Sequence, residues 1–348
     1  MSASASDPIT VFGAGSIGCF LGTSLAAAGA AVTLVARPRI IEEIRAHGLS
    51  VSDLDGVRRT LPAEAFTLVS EIGAAPPSSL YLVTVKSRHT AAAAAAIAPA
   101  LGPQGRVISF QNGLRNAGLL AQTLGAERVI AGMVPFNVVH QGQGHFHRGT
   151  EGTLAIASAP ALDAHWHQYF ARAGLPLTAY ADFDRVLWSK LLLNLNNPIN
   201  ALAGVPLLTE LGDADYRRCL AAVMAEALGL VRSAGIRPVR LAAAPPGAIP
   251  WILRLPTWAF TRVAGRMLAI DPDARSSMWE DLQQGRPTEI DELNGEIVHL
   301  GQRIGQPAPL NALIVALVRA AEDAGQGSPG LTGADLWSKL RAATTWGA

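Results

Sequence analysis

The rhythm of hydrophobic and polar positions changes once along the chain. Up to about residue 181, short apolar runs alternate with helical patterns. The runs fall at residues 9–12, 31–36, 80–85, 107–110, 129–139 and 152–157, with a last one near 176–181. Helix patterns occupy residues 17–28, which stop at Gly29, and the alanine-rich stretch 90–100. Strands alternating with helices predict an α/β unit built on a doubly wound, mostly parallel sheet. From Phe183 onward strand signals nearly vanish, and helices are predicted over roughly residues 185–202, 213–234, 260–269, 274–284, 289–304 and 310–324. The chain is therefore expected to hold two domains, residues 1–181 and an all-helical 182–348.

The first apolar run leads straight into Gly13-Ala14-Gly15-Ser16-Ile17-Gly18. Strand, G-x-G-x-x-G, helix and strand within about 30 residues form the Rossmann dinucleotide-binding unit. Gly13 permits the tight turn, Gly15 lets backbone approach a pyrophosphate, and Gly18 lets helix pack on strand. The helix start at Ser16 and Ile17 offers free N–H groups and partial positive charge to phosphate. An NAD site usually ends the second strand with an acid that bonds the ribose hydroxyl. Here that strand ends Val35-Ala36-Arg37-Pro38-Arg39, with no acid before Glu42. Arg37 is either an ordinary surface arginine or the partner of a 2′-phosphate, and the second reading predicts NADP(H). Two further strands end in Lys86-Ser87 and Gln111-Asn112-Gly113, the positions where open α/β sheets bind ligands. Asn112-Gly113 is equally a common turn dipeptide.

The first helix of the second half reads WSKLLLNLNNPIN from Trp188 to Asn200. Asp184 is placed to cap it, and Leu187, Leu191 and Leu195 give it a buried stripe. Lys190, Asn194 and Asn197 sit at i, i+4 and i+7 and share one face. The group is either a solvated polar face or a substrate site with lysine as proton donor; a buried ammonium needs a partner. Pro198 forfeits its own N–H bond and frees the Asn194 carbonyl, so a kink is expected there. A position beside the domain boundary would aim Lys190 into the cleft between the two domains. A second polar cluster comprises Ser276-Ser277-Met278 and Pro287-Thr288-Glu289-Ile290-Asp291. Thr288 is placed to cap the next helix with Glu289 in its first turn, a purely structural account of that acid.

Composition narrows the classes. Forty-nine per cent hydrophobic residues against 16% charged supply ample core, and a net charge of +1 leaves no footprint for nucleic acid. Cys19 and Cys219 are the only cysteines and lie far apart, which excludes a disulfide framework and suits a reducing cytoplasm. The opening MSASASDP lacks the basic and apolar regions of a signal peptide. The apolar stretch 249–270 is broken by Arg254, Pro256, Arg262 and Arg266 and does not read as a membrane span. His145 and His147 face one side of a strand beside the turn Gln141-Gly142-Gln143-Gly144; without a third ligand they predict an exposed hairpin and no metal.

Together these motifs resemble the ketopantoate reductase (2-dehydropantoate 2-reductase) family over almost the whole chain. Gly13-x-Gly15-x-x-Gly18 and Arg37 look like its NADPH site, and Val85-Lys86 and Gln111-Asn112-Gly113 like its strand-end motifs. Trp188 to Asn194 looks like its catalytic helix. Arg275 to Met278 and Arg286 to Asp291 look like its closing motif, with the family's interval of twelve between Ser277 and Glu289. The resemblance implies a cytoplasmic enzyme of pantothenate biosynthesis that reduces ketopantoate, a small branched 2-oxo acid, with NADPH. It implies Lys190 as general acid and Glu289 orienting the lysine or holding a substrate hydroxyl. It further implies Ser277 on the substrate carboxylate, Asn194 on its polar face, and Lys86 and Asn112 bridging cofactor and substrate. The family's Asn eight residues after the lysine is Pro198 here; Asn197, one earlier, is its stand-in as a substrate contact. The family's further Asn has no match around Gly204-Val205-Pro206. Residues 242–271 look like an insertion that caps the site, makes the contact of a homodimer, or adds core. The competing functions are a related NADP-dependent enzyme of another 2-oxo or 2-hydroxy acid, and an NADPH-binding regulator without catalysis.

Overall fold

The structure is a computed structural model and describes residues 8–159, 162, 164–265 and 271–345. The expected lack of a leader at residues 1–7, and the end of the helix expected over 260–269, lie outside the described residues. The chain divides into two compact units, Met1–Phe183 and Asp184–Ala348.

In the first unit the chain runs β1 (Ile9–Phe12), α1 (Ser16–Ala27), β2 (Val32–Val35), α2 (Pro38–His47), β3 (Leu49–Ser52), β4 (Arg58–Leu61), β5 (Phe66–Val69) and β6 (Leu80–Val83). It continues through α3 (Thr90–Ile97), β7 (Arg106–Ser109), α4 (Asn116–Leu124), β8 (Val129–Met133), β9 (Val138–Gly142), β10 (His145–Arg148), β11 (Leu154–Ala157), α5 (Ala164–Arg172) and β12 (Leu177–Tyr180). Eight strands form one sheet in the order β12-β11-β8-β7-β6-β1-β2-β5. All neighbours are parallel except β8 and β11. The order β5-β2-β1-β6-β7-β8 is that of a dinucleotide-binding sheet, with its switch point between β1 and β6. These central strands carry apolar side chains on both faces because helices cover both, so they read as continuous hydrophobic runs.

The second sheet, β4-β3-β10-β9, contains the hairpin expected around residues 141–144 as β9 and β10, and adds β3 and β4, which have no counterpart among the predicted elements. Its strands are short and one-sided: Leu49 and Val51 point inward, while Ser50 and Ser52 alternate with them toward the surface. The run at 129–139 splits between β8 in the main sheet and β9 in this one. The β9–β10 hairpin turns at Gln143 (φ 50°) and Gly144 (φ 70°), the paired positive dihedrals that match strand twist. His145 and His147 do share one side of β10, both on Ser52: its Oγ lies 2.9 Å from His145 Nε2 and 2.8 Å from His147 Nδ1.

The second unit is helical: α6 (Phe183–Asn194), α7 (Asn196–Ala203), α8 (Leu207–Gly212), α9 (Ala214–Ser233), α10 (Ile249–Leu253), α11 (Thr257–Val263), α12 (Ser277–Gln283), α13 (Asn294–Arg303), α14 (Pro309–Ala324) and α15 (Gly333–Thr345). Most of these pack on α9, a 20-residue helix whose inner face is buried. Polar side chains from α9 fasten its neighbours. The Glu226 carboxylate accepts from the amides of Leu310 and Asn311, each at 2.9 Å, and so caps α14 from outside. Arg217, 1% exposed, donates to the carbonyls of Leu211, Gly212, Leu253 and Leu255, and its guanidinium lies 4.5 Å from the Phe260 ring. It thereby ties helices α10 and α11, within the segment expected to be an insertion, to the body of the unit. Ile249, Leu253 and Phe260 of the insertion are core, whereas Trp251 and Trp258 are 73% and 76% exposed.

Three sequence expectations need correction. The helix expected over 185–202 is two helices, broken at Leu195. The break falls directly after Asn194, one turn before Pro198, and is the kink expected of that proline. Asp184 lies inside the first turn of α6 rather than capping it. The helix expected at 289 starts at Asn294, and the Thr288 hydroxyl accepts from the Ile290 amide, a local turn two residues on. Glu289 is therefore not a first-turn helix acid, and the structural account of it fails.

Candidate active site

In the first unit, the G-x-G-x-x-G stretch joins β1 to α1 at the switch point. Gly13 has φ 106°, and a Cβ there would lie 2.6 Å from Val85 Cγ1, so only glycine lets the loop pass the end of β6. A Cβ on Gly18 would meet the Gly13 carbonyl oxygen at 2.4 Å, whereas one on Gly15 would meet nothing within 4 Å. Gly15 is thus an open, side-chain-free surface, and beside it Ser16, Ile17 and Gly18 begin α1 with no side-chain cap. The loop is braced by the amides of Gly13 and Ala14, which donate to the Val35 carbonyl, and by Thr84 Oγ1, which donates to the Gly13 carbonyl at 2.7 Å. These features fit a pyrophosphate on the helix start.

Arg37 follows β2 directly and is exposed. Its charge is felt across the strand ends. Burial, Arg88 and then Arg37 hold His89 below the ordinary histidine range. Two exposed guanidiniums and a neutral imidazole, which accepts from Arg88 Nε at 3.1 Å, make this corner electropositive.

The ends of β6 and β7 are locked together by a buried polar network. Gln111 Nε2 donates to the Val85 carbonyl (3.0 Å) and to Thr90 Oγ1 (2.8 Å), and its Oε1 accepts from Ser109 Oγ (2.9 Å). The Thr90 hydroxyl donates to Asn116 Oδ1 at 2.7 Å. Asn116 Nδ2 donates to Ser87 Oγ and to the Asn112 carbonyl, which Ser87 also reaches at 3.1 Å. Lys86 and Asn112 are therefore held beside each other, each partly exposed. Ser87, Thr90 and Asn116 went unread in the sequence. The available signal was hydroxyl and amide residues directly after a strand and four residues beyond Asn112.

In the second unit, α6 carries Lys190 and Asn194 one turn apart, and α7 carries Asn197. Asn194 is 8% exposed. Lys190 keeps some solvent contact as a residue, but crowding around its ammonium group lowers its pKa to about 8. The α7 and α12 motifs meet directly: Ser276 Oγ donates to the Asn197 carbonyl at 3.0 Å and accepts from the Trp279 amide at 3.2 Å, capping α12. Ser277 is the first residue of α12. Glu289 lies in the loop before α13 and is 7% exposed. Its flank is pinned by the Thr288 amide, which donates to Glu322 at 2.6 Å. The helical unit thus carries a buried amide, a depressed lysine, a helix-start hydroxyl and a buried acid, groups suited to a small polar ligand and a proton transfer, and of the segments that bear them the structure joins α7 to α12. Among the described residues no three His, Cys, Asp or Glu side chains gather into a metal site, and no helix is long and apolar enough to cross a membrane.

Comparison with known proteins bears on this arrangement. Residues 9–161 match the family described as ketopantoate reductase PanE/ApbA, and residues 182–322 its C-terminal counterpart. A 2-dehydropantoate 2-reductase of Mesorhizobium japonicum is 30% identical, covering 89% of this chain and 96% of the relative. A PanE/ApbA family ketopantoate reductase from Ralstonia eutropha JMP134 superimposes with a TM-score of 0.77 at 31% identity, over 92% of this chain and 99% of that one. A D-mandelate dehydrogenase in ternary complex with NADH and anilino(oxo)acetate shares the fold at 19% identity, with a TM-score of 0.72 over 91% and 99% of the two chains.

Proposed function

The chain belongs to the ketopantoate reductase family, an oxidoreductase family, and we propose that it reduces 2-dehydropantoate to pantoate with NADPH. When bound, the reduced nicotinamide supplies the hydride that goes to the ketone carbon. Ser16, Ile17 and the open surface of Gly15 hold the pyrophosphate, and Arg37 holds the 2′-phosphate, with Gly13 and Gly18 shaping the turn. Lys86 and Asn112 contact both cofactor and substrate. Ser277 takes the substrate carboxylate, while Asn194 and Asn197 take its carbonyl and hydroxyl side. As hydride adds to the carbon, the π pair of the C=O double bond moves onto the oxygen, which gains negative charge. Lys190 stabilises that charge by hydrogen bonding and then gives its proton, which completes the alcohol. Glu289 orients the ammonium group or takes a substrate hydroxyl.

The observation that carries this reading is the lysine. A crowded ammonium with a pKa near 8 is still protonated at neutral pH, yet parts with its proton more readily than an ordinary lysine. The deciding experiment is steady-state kinetics with NADPH against a panel of 2-oxo acids. The panel includes a phenyl-bearing acid, because the D-mandelate dehydrogenase complex holds anilino(oxo)acetate. The highest kcat/KM is expected for ketopantoate. Preference for another acid would move the substrate assignment, and the lack of turnover with every member would leave a dinucleotide-binding regulator.

A further inference from the structure

Beneath the substrate motifs of the second unit lies a carboxyl group that the proposed mechanism does not use. Glu210, in α8, is 1% exposed, the most deeply buried acid among the described residues. Its Oε2 accepts from Asn200 Nδ2 at 2.7 Å, and Asn200 itself is fully buried in α7. The same amide nitrogen donates to the Val205 carbonyl at 3.0 Å, and Asn200 Oδ1 accepts from the backbone amide of Ser276 at 2.8 Å. Ser276 then reaches the Asn197 carbonyl through its hydroxyl. An unbroken chain of bonds thus runs from Glu210 through Asn200 to both segments that bear Asn197 and Ser277.

We propose that Glu210 is a positioning residue, which through Asn200 fixes the Ser276 amide and thereby the placement of Ser277 and Asn197 against the substrate. This rests on the reading of Ser277 and Asn197 as substrate contacts. Asn200 is the joint: its amide has one side for Glu210 and α8, the other for α12. The Leu207 amide also ties the start of α8 to the Ala274 carbonyl at 2.9 Å, just ahead of α12, and Asn200 carries the tie onto Ser276 itself.

The hydrogen-bond inventory favours the neutral acid. Glu210 Oε1 and Asn196 Oδ1 are both buried acceptors that lack a donor. A proton on the carboxyl turns one orphan acceptor into a donor, whereas an ionised carboxylate would leave a buried, charged oxygen unmet. Burial pushes the Glu210 carboxyl up to about 8 against the opposing hydrogen bonds from Asn200 and Asn196. The groups around it do not rescue a charge. From α9, Tyr216 and Cys219 are each held un-ionised, and a charge on Glu210 raises both further. Asp213, between α8 and α9, also raises both of them. From the α12 side, Arg275 lies over the Trp279 ring at 4.4 Å, and its Nε is itself buried without a partner. Below pH about 8 the acid is neutral; ionised, it would hold the Asn200 amide more strongly, the direction in which that bond already pulls its titration.

Glu210 and Lys190 act on different constants: Lys190 governs kcat, and Glu210 governs KM for the 2-oxo acid. Glu210→Ala, which removes the acceptor, should raise KM about tenfold at neutral pH, with kcat within about threefold. Glu210→Gln, which keeps an acceptor for the Asn200 amide, is expected to hold KM within about twofold of the parent. An unchanged KM in Glu210→Ala would overturn the proposal, as would an equal rise in Glu210→Gln. Hydrogen exchange across residues 276–279 of the same proteins needs no substrate: protection that drops in Glu210→Ala and persists in Glu210→Gln is the expected result. Equal protection in the parent and Glu210→Ala would sink the proposal even if the chain turned over no 2-oxo acid. Absent turnover with lost protection in Glu210→Ala would strike only the assigned reaction.

Discussion

At the scale of single residues, the proposed reaction is tested at two side chains in different units. Lys190→Ala should lower kcat by about two orders of magnitude or more, while the NADPH Kd from fluorescence titration changes little. An unchanged kcat would remove Lys190 as the acid. The sign of the pH profile follows from its state. The proposed mechanism uses the acid form, so kcat should be steady below about 8 and fall as pH rises through that value. Arg37 tests the other half. Arg37→Ala should weaken NADPH binding by about ten- to a hundredfold and NADH by far less, because only NADPH carries a 2′-phosphate for the guanidinium. Equal losses would show that the electropositive corner formed with Arg88 serves something other than the 2′-phosphate. Both residues stand out in the sequence for the same reason: each breaks a local expectation, a cation among leucines and a cation where an acid is usual. Asn200 and Glu210 break none. An amide and an acid in short helical stretches look like ordinary solvated polar positions, and only their burial marks them.

At the scale of elements, glycine and arginine show how far each local segment depends on one residue. Gly18→Ala would force a Cβ onto the Gly13 carbonyl, which is backbone and has no rotamer to escape into. It is expected to lose dinucleotide affinity and to lower Tm, whereas Gly15→Ala, with open space around its Cβ, should leave Tm unchanged and weaken only the dinucleotide. Arg217→Met removes the donors that four buried or half-buried carbonyls share. A loss on the order of 3 kcal/mol in urea unfolding is expected, with α10 and α11 the first segments to exchange. Elements were legible where their pattern was strong and long. The β1-α1-β2 unit and α9 were read nearly to the residue, because glycine spacing and a long apolar stripe leave few alternatives. β3, β4 and β5 were not read, since four residues with one polar face carry too little periodicity. The start of α13 was misplaced because Thr288 followed by acids satisfies a helix cap and a tight hydroxyl turn equally well, and tertiary bonding to Glu322 selects the turn.

At the scale of the molecule, the two units differ in what holds them. The first is a layered sheet with its own apolar core, running from Ile9 through Phe170 to Leu175. The second is a set of helices fastened to α9 by buried polar groups such as Arg217, Glu226 and Asn311. Residues 1–183 expressed alone are therefore expected to fold and bind NADPH in a fluorescence titration without turning over a 2-oxo acid. Failure to bind would mean that the dinucleotide site needs the helical unit. The two exposed indoles of the insertion add an optical consequence. Of seven tryptophans, Trp251 and Trp258 stand in water on short helices anchored from below by Arg217, so they should emit at long wavelength and yield readily to iodide. Whatever settles on that surface, whether a ligand-induced rearrangement or another molecule, will announce itself as a blue shift and a loss of quenching, with no label attached.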